Sequence, residues 1–203
     1  MSRKNHWDKV YRNRDETEVS WFQNRPDVSL RLIDGASLDP DARIVDVGGG
    51  TSRLVDCLLD RGYRRLAVLD VSAFALELAQ ARLGPLANQV EWFATDLAEF
   101  RSPHTWDLWH DRAVFHFLTA EGDRDAYREV LLRSLAPSAQ VVISTFGPQG
   151  PQKCSGLDVR RYDAAMLGKT LGDEFELLEE ELKEHVTPGG SAQQFLFCRF
   201  GLR

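Results

Sequence analysis

Short apolar runs alternate with segments of helical periodicity along most of the chain. The runs Arg43–Val47 and Arg65–Asp70 predict two buried strands, and the segment between them repeats leucine and valine at helical spacing. Further strands are predicted at residues 89–94, 106–110 and 139–145. Strands that alternate with helices in this way indicate a parallel sheet with helices on both faces.

The predicted helices follow recognisable start and stop signals. Ser72 is a candidate N-cap for a helix that ends at Gly84, and further helices are predicted at residues 26–34, 123–135 and 163–171. The alternation stops after Phe146, where residues 147–156 are rich in Gly and Pro. Residues 175–185 and 193–200 flank the turn TPGGSA, so the chain is predicted to close with an antiparallel hairpin.

The composition indicates one globular domain and disfavours nucleic acid as a partner. With 203 residues and 43% apolar positions, the chain is long enough for one sizeable core. We predict a single domain over residues 1–203, in which residues 1–42 form a helical extension or lid and residues 43–203 form the core. The 25 basic residues are outnumbered by 31 acidic ones, and no basic stripe suits a phosphate backbone.

The cysteines and the apolar segments favour a soluble protein of the cytoplasm. Cys57, Cys154 and Cys198 are far apart and lack CxxC spacing, which predicts neither a disulfide framework nor a metal site. The amino terminus has no apolar signal run, and no segment approaches the roughly 20 apolar residues that cross a bilayer. We therefore expect no membrane partner, and the oligomeric state stays open.

The glycine-rich turn after the first strand is the strongest candidate for a ligand site, because ligands of open parallel sheets bind at such turns. A phosphate loop, G-x-x-x-x-G-K-[ST], does not fit Gly48, Gly49 or Gly50. A dinucleotide fingerprint, G-x-G-x-x-G, would place Arg53 where the third glycine is needed. Nucleoside triphosphates are therefore excluded, and NAD or FAD is the weaker interpretation.

The acidic residues at three strand ends favour a nucleoside instead. Asp46, Gly48, Gly50 and Ser52 fit the pattern D-x-G-x-G-x-[GS], and Asp70 ends the second strand. A carboxylate there can accept both hydroxyls of a ribose. Asp96 follows the third strand, where it can accept from an adenine amino group. The predicted cofactor-binding residues are Asp46, Gly48, Gly49, Gly50, Thr51, Ser52, Asp70, Val71, Asp96, Leu97 and Trp21.

This constellation resembles the class I methyltransferases, which bind S-adenosylmethionine. The resemblance covers Arg43 to Phe200. It implies an α/β fold, namely a doubly wound, mostly parallel, seven-stranded Rossmann-like sheet with helices on both faces and the terminal hairpin. It further implies that Asp46 and the glycines flank the methionine part, that Asp70 holds the ribose, and that Asp96 and Leu97 hold the adenine. The cofactor would be S-adenosylmethionine and its product S-adenosylhomocysteine.

Four further segments resemble a narrower group, the bacterial relatives of the lysine methyltransferases that modify citrate synthase and elongation factor 1A. These segments are HWDKVY, SWFQNRP, HDRAVFHFL and HVTPGGSAQQFLFCRF. The resemblance implies a protein lysine or another amine as the methyl acceptor. A small-molecule methyltransferase acting on oxygen, sulfur or nitrogen and a protein that binds the nucleoside without turnover stay open as alternatives.

The predicted catalytic residues lie at the end of the fourth strand. An amine must lose its proton before methyl transfer, and Asp111 or His110 could accept that proton. Taken alone, however, His110 and His116 each fit a core or helix-surface position better than a catalytic role. The aromatic residues Trp7, Tyr11, Trp21 and Phe22 precede the sheet, and we predict that they close over the cofactor as a lid.

Overall fold

The computed structural model describes residues 2–203, which contain six α-helices and nine strands. The helices are α1 (Arg3–Asn13), α2 (Asp27–Asp34), α3 (Leu54–Asp60), α4 (Ala73–Leu83), α5 (Glu121–Ser134) and α6 (Ala164–Leu171). The strands are β1 (Arg43–Val47), β2 (Arg65–Asp70), β3 (Val90–Ala94), β4 (Trp106–Arg112), β5 (Leu135–Phe146), β6 (Lys153–Cys154), β7 (Leu157–Asp158), β8 (Phe175–Val186) and β9 (Ala192–Leu202). Short 3₁₀ helices cover residues 84–89, 97–99 and 115–117.

Seven of the strands form one sheet in the order β3-β2-β1-β4-β5-β9-β8. Strands β1 to β5 run parallel to one another, whereas β9 runs antiparallel to both β5 and β8. This arrangement confirms the predicted fold class, including the C-terminal hairpin. The strand order reverses between β1 and β4, and the crevice at their carboxyl ends is where ligands of such sheets bind.

Helices cover both faces of the sheet, which explains why the central strands are apolar at nearly every position. On one face, Val45 and Val47 pack with the aromatic side chains of Trp106, Trp109 and Tyr127. On the other face, Ile44 packs in a cluster of aliphatic side chains from α2, α3 and α4. Asp46 in β1 and His110 and Asp111 in β4 are buried polar residues within these mostly apolar strands.

The N-terminal segment lies across the carboxyl ends of the strands. Asp8 in α1 accepts a hydrogen bond of 2.6 Å from the Ser72 hydroxyl, at the start of α4. Arg12 lies 4.3 Å from the centre of the Phe74 ring. On the opposite side, Arg3 forms an ion pair of 2.6 Å with Asp123 in α5. Helix α1 thus connects α4 and α5 over the crevice, while the division at residue 42 stays a prediction.

Element ends differ from the predictions by a few residues, as expected of sequence patterns. Strand β5 begins at Leu135, directly after α5, although the apolar run that predicted it begins at Ala139. The polar loop after Phe146 contains the two-residue strand β6, which pairs with β7. No helix in residues 2–203 is long and apolar enough to span a bilayer.

Candidate active site

A cleft of about 1280 Å³, measured with its open mouth, lies at the carboxyl ends of the central strands. The glycine turn and the end of β2 form one side, and the segment that follows β4 forms the other. Residues from α1 and from the loop after it cover the cleft. This is the crevice that the strand order selects as a ligand site.

The glycine turn is packed tightly from both sides. Gly48 and Gly50 have positive φ angles of 64° and 50°, which favour glycine. A Cβ atom on Gly48 would lie 1.9 Å from a methyl of Val114, and one on Gly50 would lie 2.3 Å from the Tyr11 hydroxyl. The turn therefore requires glycine for its conformation and for the close approach of two other segments.

Asp70 presents a carboxyl group to the cleft from the end of β2. Its Oδ1 accepts a hydrogen bond of 2.8 Å from the backbone N–H of Ser72. Burial, followed by the negative charges of Asp46 and Asp8, raises the pKa of Asp70 to about 7, against hydrogen bonds that favour the ionised form. A buried carboxyl group with this pKa is a strong candidate for ligand contact.

The other predicted cofactor residues divide into two groups. Asp46, Gly48, Gly49, Ser52, Val71, Asp96, Leu97 and Trp21 all line the cleft together with Asp70. Gly50 and Thr51 are not among the residues that line it. The Asp96 carboxylate caps the short helix after it, because its Oδ1 accepts from the Ala98 N–H at 3.0 Å. The structure thus brings the three strand-end carboxylates to one cleft.

His110 belongs to a buried network beneath the cleft and does not line it. Its Nδ1 lies 2.7 Å from the Asp46 carboxylate, and its Nε2 lies 2.9 Å from the hydroxyl of Ser29 in α2. Both ring nitrogens therefore have partners within the protein. This contact orients Asp46, which does line the cleft.

Asp111 points to the opposite face of the sheet and is also absent from the wall of the cleft. Its Oδ1 accepts from the Val114 N–H at 2.8 Å, and its Oδ2 accepts from the Tyr127 hydroxyl at 2.8 Å. Burial raises the pKa of Asp111 to about 6, although these hydrogen bonds favour the ionised form. The geometry gives Asp111 the role of holding the turn at Val114, and its predicted proton transfer stays a prediction.

Arg82 supports the glycine turn, although no motif in the sequence points to it. Its guanidinium donates to the carbonyl oxygens of Thr51 and Ser52 at 3.0 and 2.9 Å. It also pairs with Asp56 at 2.8 Å and with Glu16 of the N-terminal segment at 2.9 Å. Arg82 therefore joins the turn to the segment that covers the cleft.

Three of the four predicted lid aromatics lie in the wall of the cleft. Trp7 contacts Trp21 edge to face, with ring centres 5.7 Å apart, and contacts Phe117 in the same way at 5.2 Å. Tyr11 is buried, and its ring centre lies 6.2 Å from that of Trp21. Phe22 lies elsewhere, with its ring 5.5 Å from the Arg53 guanidinium carbon. The aromatic cover thus consists of Trp7, Tyr11 and Trp21.

The end of the cleft above β4 and β5 is lined by His116, Arg112 and Phe195. The end above β2 instead presents the carboxyl groups of Asp70 and Asp96. His116 is fully buried, and its Nδ1 accepts a hydrogen bond of 3.2 Å from the backbone N–H of Phe146. Burial lowers the pKa of His116 to about 3. Arg112 donates to the Trp21 carbonyl oxygen at 2.9 Å, and Phe195 completes this apolar part of the wall.

The chain matches known proteins over this core. Residues 44–138 match a family described as a methyltransferase domain. The chain is 31% identical over 119 residues to a malonyl-[acyl-carrier protein] O-methyltransferase of Acetivibrio thermocellus, a match that covers 57% of this chain and 40% of the relative. It is 22% identical over 134 residues to a mouse eEF1A lysine and N-terminal methyltransferase, a match that covers 64% of this chain and 18% of the relative. The chain thus spans less than half the length of either relative.

Solved structures show the same fold. One solved structure has a TM-score of 0.80 at 15% identity, with 99% of this chain and 92% of that chain covered. It is described under the conversion of a disulfide bond into a thioacetal group during echinomycin biosynthesis. A SAM-dependent methyltransferase from Anabaena variabilis has a TM-score of 0.76 at 17% identity, with 100% and 96% covered. The N-methyltransferase NodS from Bradyrhizobium japonicum, in complex with S-adenosylhomocysteine, has a TM-score of 0.72 at 15% identity, with 99% of both chains covered.

These matches confirm the resemblance to the class. The chain has the fold of the class I S-adenosylmethionine-dependent methyltransferases. The match to the methyltransferase domain family covers residues 44–138 of this fold.

Proposed function

We propose that the protein is an S-adenosylmethionine-dependent methyltransferase. The proposal rests chiefly on Asp70, a buried carboxyl group that faces the cleft beside the glycine turn. Asp46 and Asp96 face the same cleft, so three carboxyl groups surround a space that suits a cationic nucleoside. The chemistry of these residues therefore fits the cofactor.

Each group of residues would hold one part of S-adenosylmethionine. Asp70 would accept the ribose hydroxyls, Asp96 and Leu97 would hold the adenine, and Asp46 with the glycine turn would flank the methionine end. When bound, this cofactor supplies an electrophilic methyl group on a sulfonium. The chain itself would contribute alignment and the exclusion of water, for which the cover formed by Trp7, Tyr11 and Trp21 is well placed.

The methyl acceptor is a small molecule or a protein side chain in this proposal. One relative is named as an O-methyltransferase of a malonyl group and another as a lysine methyltransferase, so the comparisons support both classes. We also propose a cytoplasmic location. The free thiols of Cys57, Cys154 and Cys198 support it, because a reducing compartment preserves them.

Incubation of the protein with methyl-labelled S-adenosylmethionine and a cell lysate tests the proposal. Label in extractable small molecules or in protein would support a methyltransferase and would identify the class of acceptor. Asp70→Ala should reduce this transfer, whereas Asp60→Ala, at an exposed residue on α3, should not. Binding of the cofactor without any transfer of label would instead support a nucleoside-binding protein.

A further inference from the structure

The wall of the cleft contains a buried hydrogen-bond donor without a partner. His116 is fully buried, and its Nε2 makes no hydrogen bond within residues 2–203. Leaving a buried polar atom unpaired costs about 1 to 3 kcal/mol, so such an atom in a ligand cleft indicates that a ligand completes it. The predicted cofactor residue Asp70 ends β2 and Asp96 follows β3, whereas His116 follows β4 and lines the other end of the cleft.

The protonation of His116 follows from its other contact. The backbone N–H of Phe146 can only donate, so Nδ1 of His116 must accept and carries no proton. The proton of the neutral ring then resides on Nε2, which makes this atom a donor. The ring is further held by packing on Phe146, with ring centres 4.7 Å apart, and on Phe117, with ring centres 4.5 Å apart.

The charges nearby disfavour an ammonium group. Arg112 lines the cleft and forms no ion pair with a carboxylate in the part of the chain that the structure describes. Among the charged groups near Arg112, Asp46 does most to favour the protonated guanidinium. Asp46 is already hydrogen-bonded to His110. Asp111 is turned away and bonded to Tyr127. Both of these carboxylates are therefore engaged within the protein, and neither is free to take a proton from an amine.

We propose that His116 is the donor that binds the methyl acceptor, and that the acceptor is a small, planar oxygen acid such as a phenol, an enol or an unsaturated carboxylate. The Nε2–H of His116 would hydrogen-bond the reacting oxygen, and the positive charge of Arg112 would favour its ionised form. The aromatic rings of Phe146, Phe195 and Trp7 would enclose the planar part. This inference rests on the proposed function and names its substrate class.

The proposed reaction balances without any further reagent. The acceptor loses its proton to solvent on binding, and its oxygen then forms a bond to the methyl carbon. The carbon–sulfur bond breaks, and its electron pair passes to sulfur. Because the anion and the sulfonium neutralise each other, an apolar enclosure favours the transfer. A lysine ammonium would instead have to give up a proton, and Asp46 and Asp111 are already hydrogen-bonded within the protein.

A matched pair of probes tests the proposal. The protein is first titrated with S-adenosylhomocysteine by calorimetry, and 4-nitrophenol or 4-nitroaniline is then added to the saturated complex. We expect 4-nitrophenol to bind at least 10-fold more tightly than 4-nitroaniline and to absorb as the phenolate at a pH where the free dye is mostly protonated. Equal or tighter binding of 4-nitroaniline, or no binding of 4-nitrophenol, would overturn the proposal.

A variant of His116 tests whether this residue causes the preference for 4-nitrophenol. His116→Phe keeps an aromatic ring but removes the donor, and it should weaken 4-nitrophenol binding roughly 10- to 150-fold, the equivalent of one hydrogen bond to a charged group. Binding of S-adenosylhomocysteine should change less than 3-fold. His104→Phe, at a half-buried residue before β4 that does not line the cleft, is the matched control. Unchanged 4-nitrophenol binding in folded His116→Phe would remove His116 from the site, and if this variant does not fold, the probe comparison in the unmodified protein decides.

If the protein releases no heat with S-adenosylhomocysteine, the proposed methyltransferase function is refuted. If it binds S-adenosylhomocysteine but does not prefer 4-nitrophenol, only the proposed substrate class is refuted.

Discussion

The Nδ1 atom of His110 lies 2.7 Å from the carboxylate of Asp46, so the two predicted site residues form one buried pair. This pair joins β4 to β1 beneath the glycine turn. His110 reaches Ser29 of α2 through its other nitrogen, which leaves Asp46 as the member of the pair that faces the cleft. The contact therefore orients a carboxylate that lines the cleft, and both ring nitrogens of His110 are already engaged.

Replacement of Asp111 should lower the stability of the folded protein, because its carboxylate accepts hydrogen bonds from Val114 and Tyr127. In Asp111→Asn, the amide nitrogen would face the Tyr127 hydroxyl, which already accepts from the indole of Trp109 at 2.9 Å. We expect the free energy of unfolding to fall by about 1 to 3 kcal/mol, the cost of an unsatisfied buried group. Urea denaturation of Asp111→Asn and Tyr127→Phe should show losses of similar size, whereas Asp125→Asn, at an exposed residue on α5, should be neutral.

A loss of turnover without a loss of stability would give Asp111 a catalytic role. If Asp111→Asn kept its stability and cofactor affinity but lost turnover more than 100-fold, the predicted transfer of a proton to this carboxylate would be supported. The hydrogen bonds to Val114 and Tyr127 would then have to rearrange during the reaction.

The affinity for S-adenosylhomocysteine should fall as the pH falls below about 7. Burial raises the pKa of Asp70 to about 7 in the free protein, and the ionised carboxylate is the form that accepts hydroxyl hydrogen bonds. Binding below this pH must therefore release a proton, and the affinity should drop by up to about 10-fold per pH unit. Calorimetry at pH 6, 7 and 8 measures this effect. Asp70→Asn should bind weakly with a flat pH profile, and a flat profile in the unmodified protein would contradict the account.

Removal of the N-terminal segment should open the cleft. A chain that begins at Arg25 lacks Trp7, Tyr11 and Trp21, which line the cleft, and lacks Glu16, which pairs with Arg82. Burial of one large apolar side chain contributes about 1.5 to 3 kcal/mol, so we expect at least 10-fold weaker binding of S-adenosylhomocysteine. Lys9→Gln, at an exposed residue of α1 that does not line the cleft, should change the affinity little. Normal binding by a truncated chain that unfolds cooperatively would show that this segment is not a lid.

The regular part of the fold was predictable because it depends on local patterns. The bounds of β1 and β2 agree with the apolar runs at Arg43–Val47 and Arg65–Asp70, since buried parallel strands are apolar at nearly every position. Ser72 caps α4 as its residue type suggests, with its hydroxyl accepting from the Ala75 N–H at 3.2 Å. The resemblance to a known class added the strand count and the roles of the acidic residues.

The partners of individual side chains were not predictable, because they depend on contacts between distant segments. His110 and Asp111 are adjacent in the sequence, yet the alternation of side chains along β4 sends them to opposite faces of the sheet. The sequence predicts that neighbouring side chains of a strand point to opposite faces. It does not predict that His110 contacts Ser29 or that Asp111 contacts Tyr127. Arg82 likewise reaches the glycine turn from 30 residues away, through contacts that follow no spacing rule.

Calorimetric titration of the unmodified protein and of Asp70→Ala with S-adenosylhomocysteine tests most directly whether the end of β2 forms a nucleoside site. The unmodified protein should bind one equivalent, and Asp70→Ala should weaken binding roughly 10- to 150-fold, because hydrogen bonds to a charged group contribute about 1.5 to 3 kcal/mol. Asp60→Ala should bind as the unmodified protein does. No heat of binding in the folded protein, or an unchanged affinity in Asp70→Ala, would contradict a nucleoside site at the end of β2.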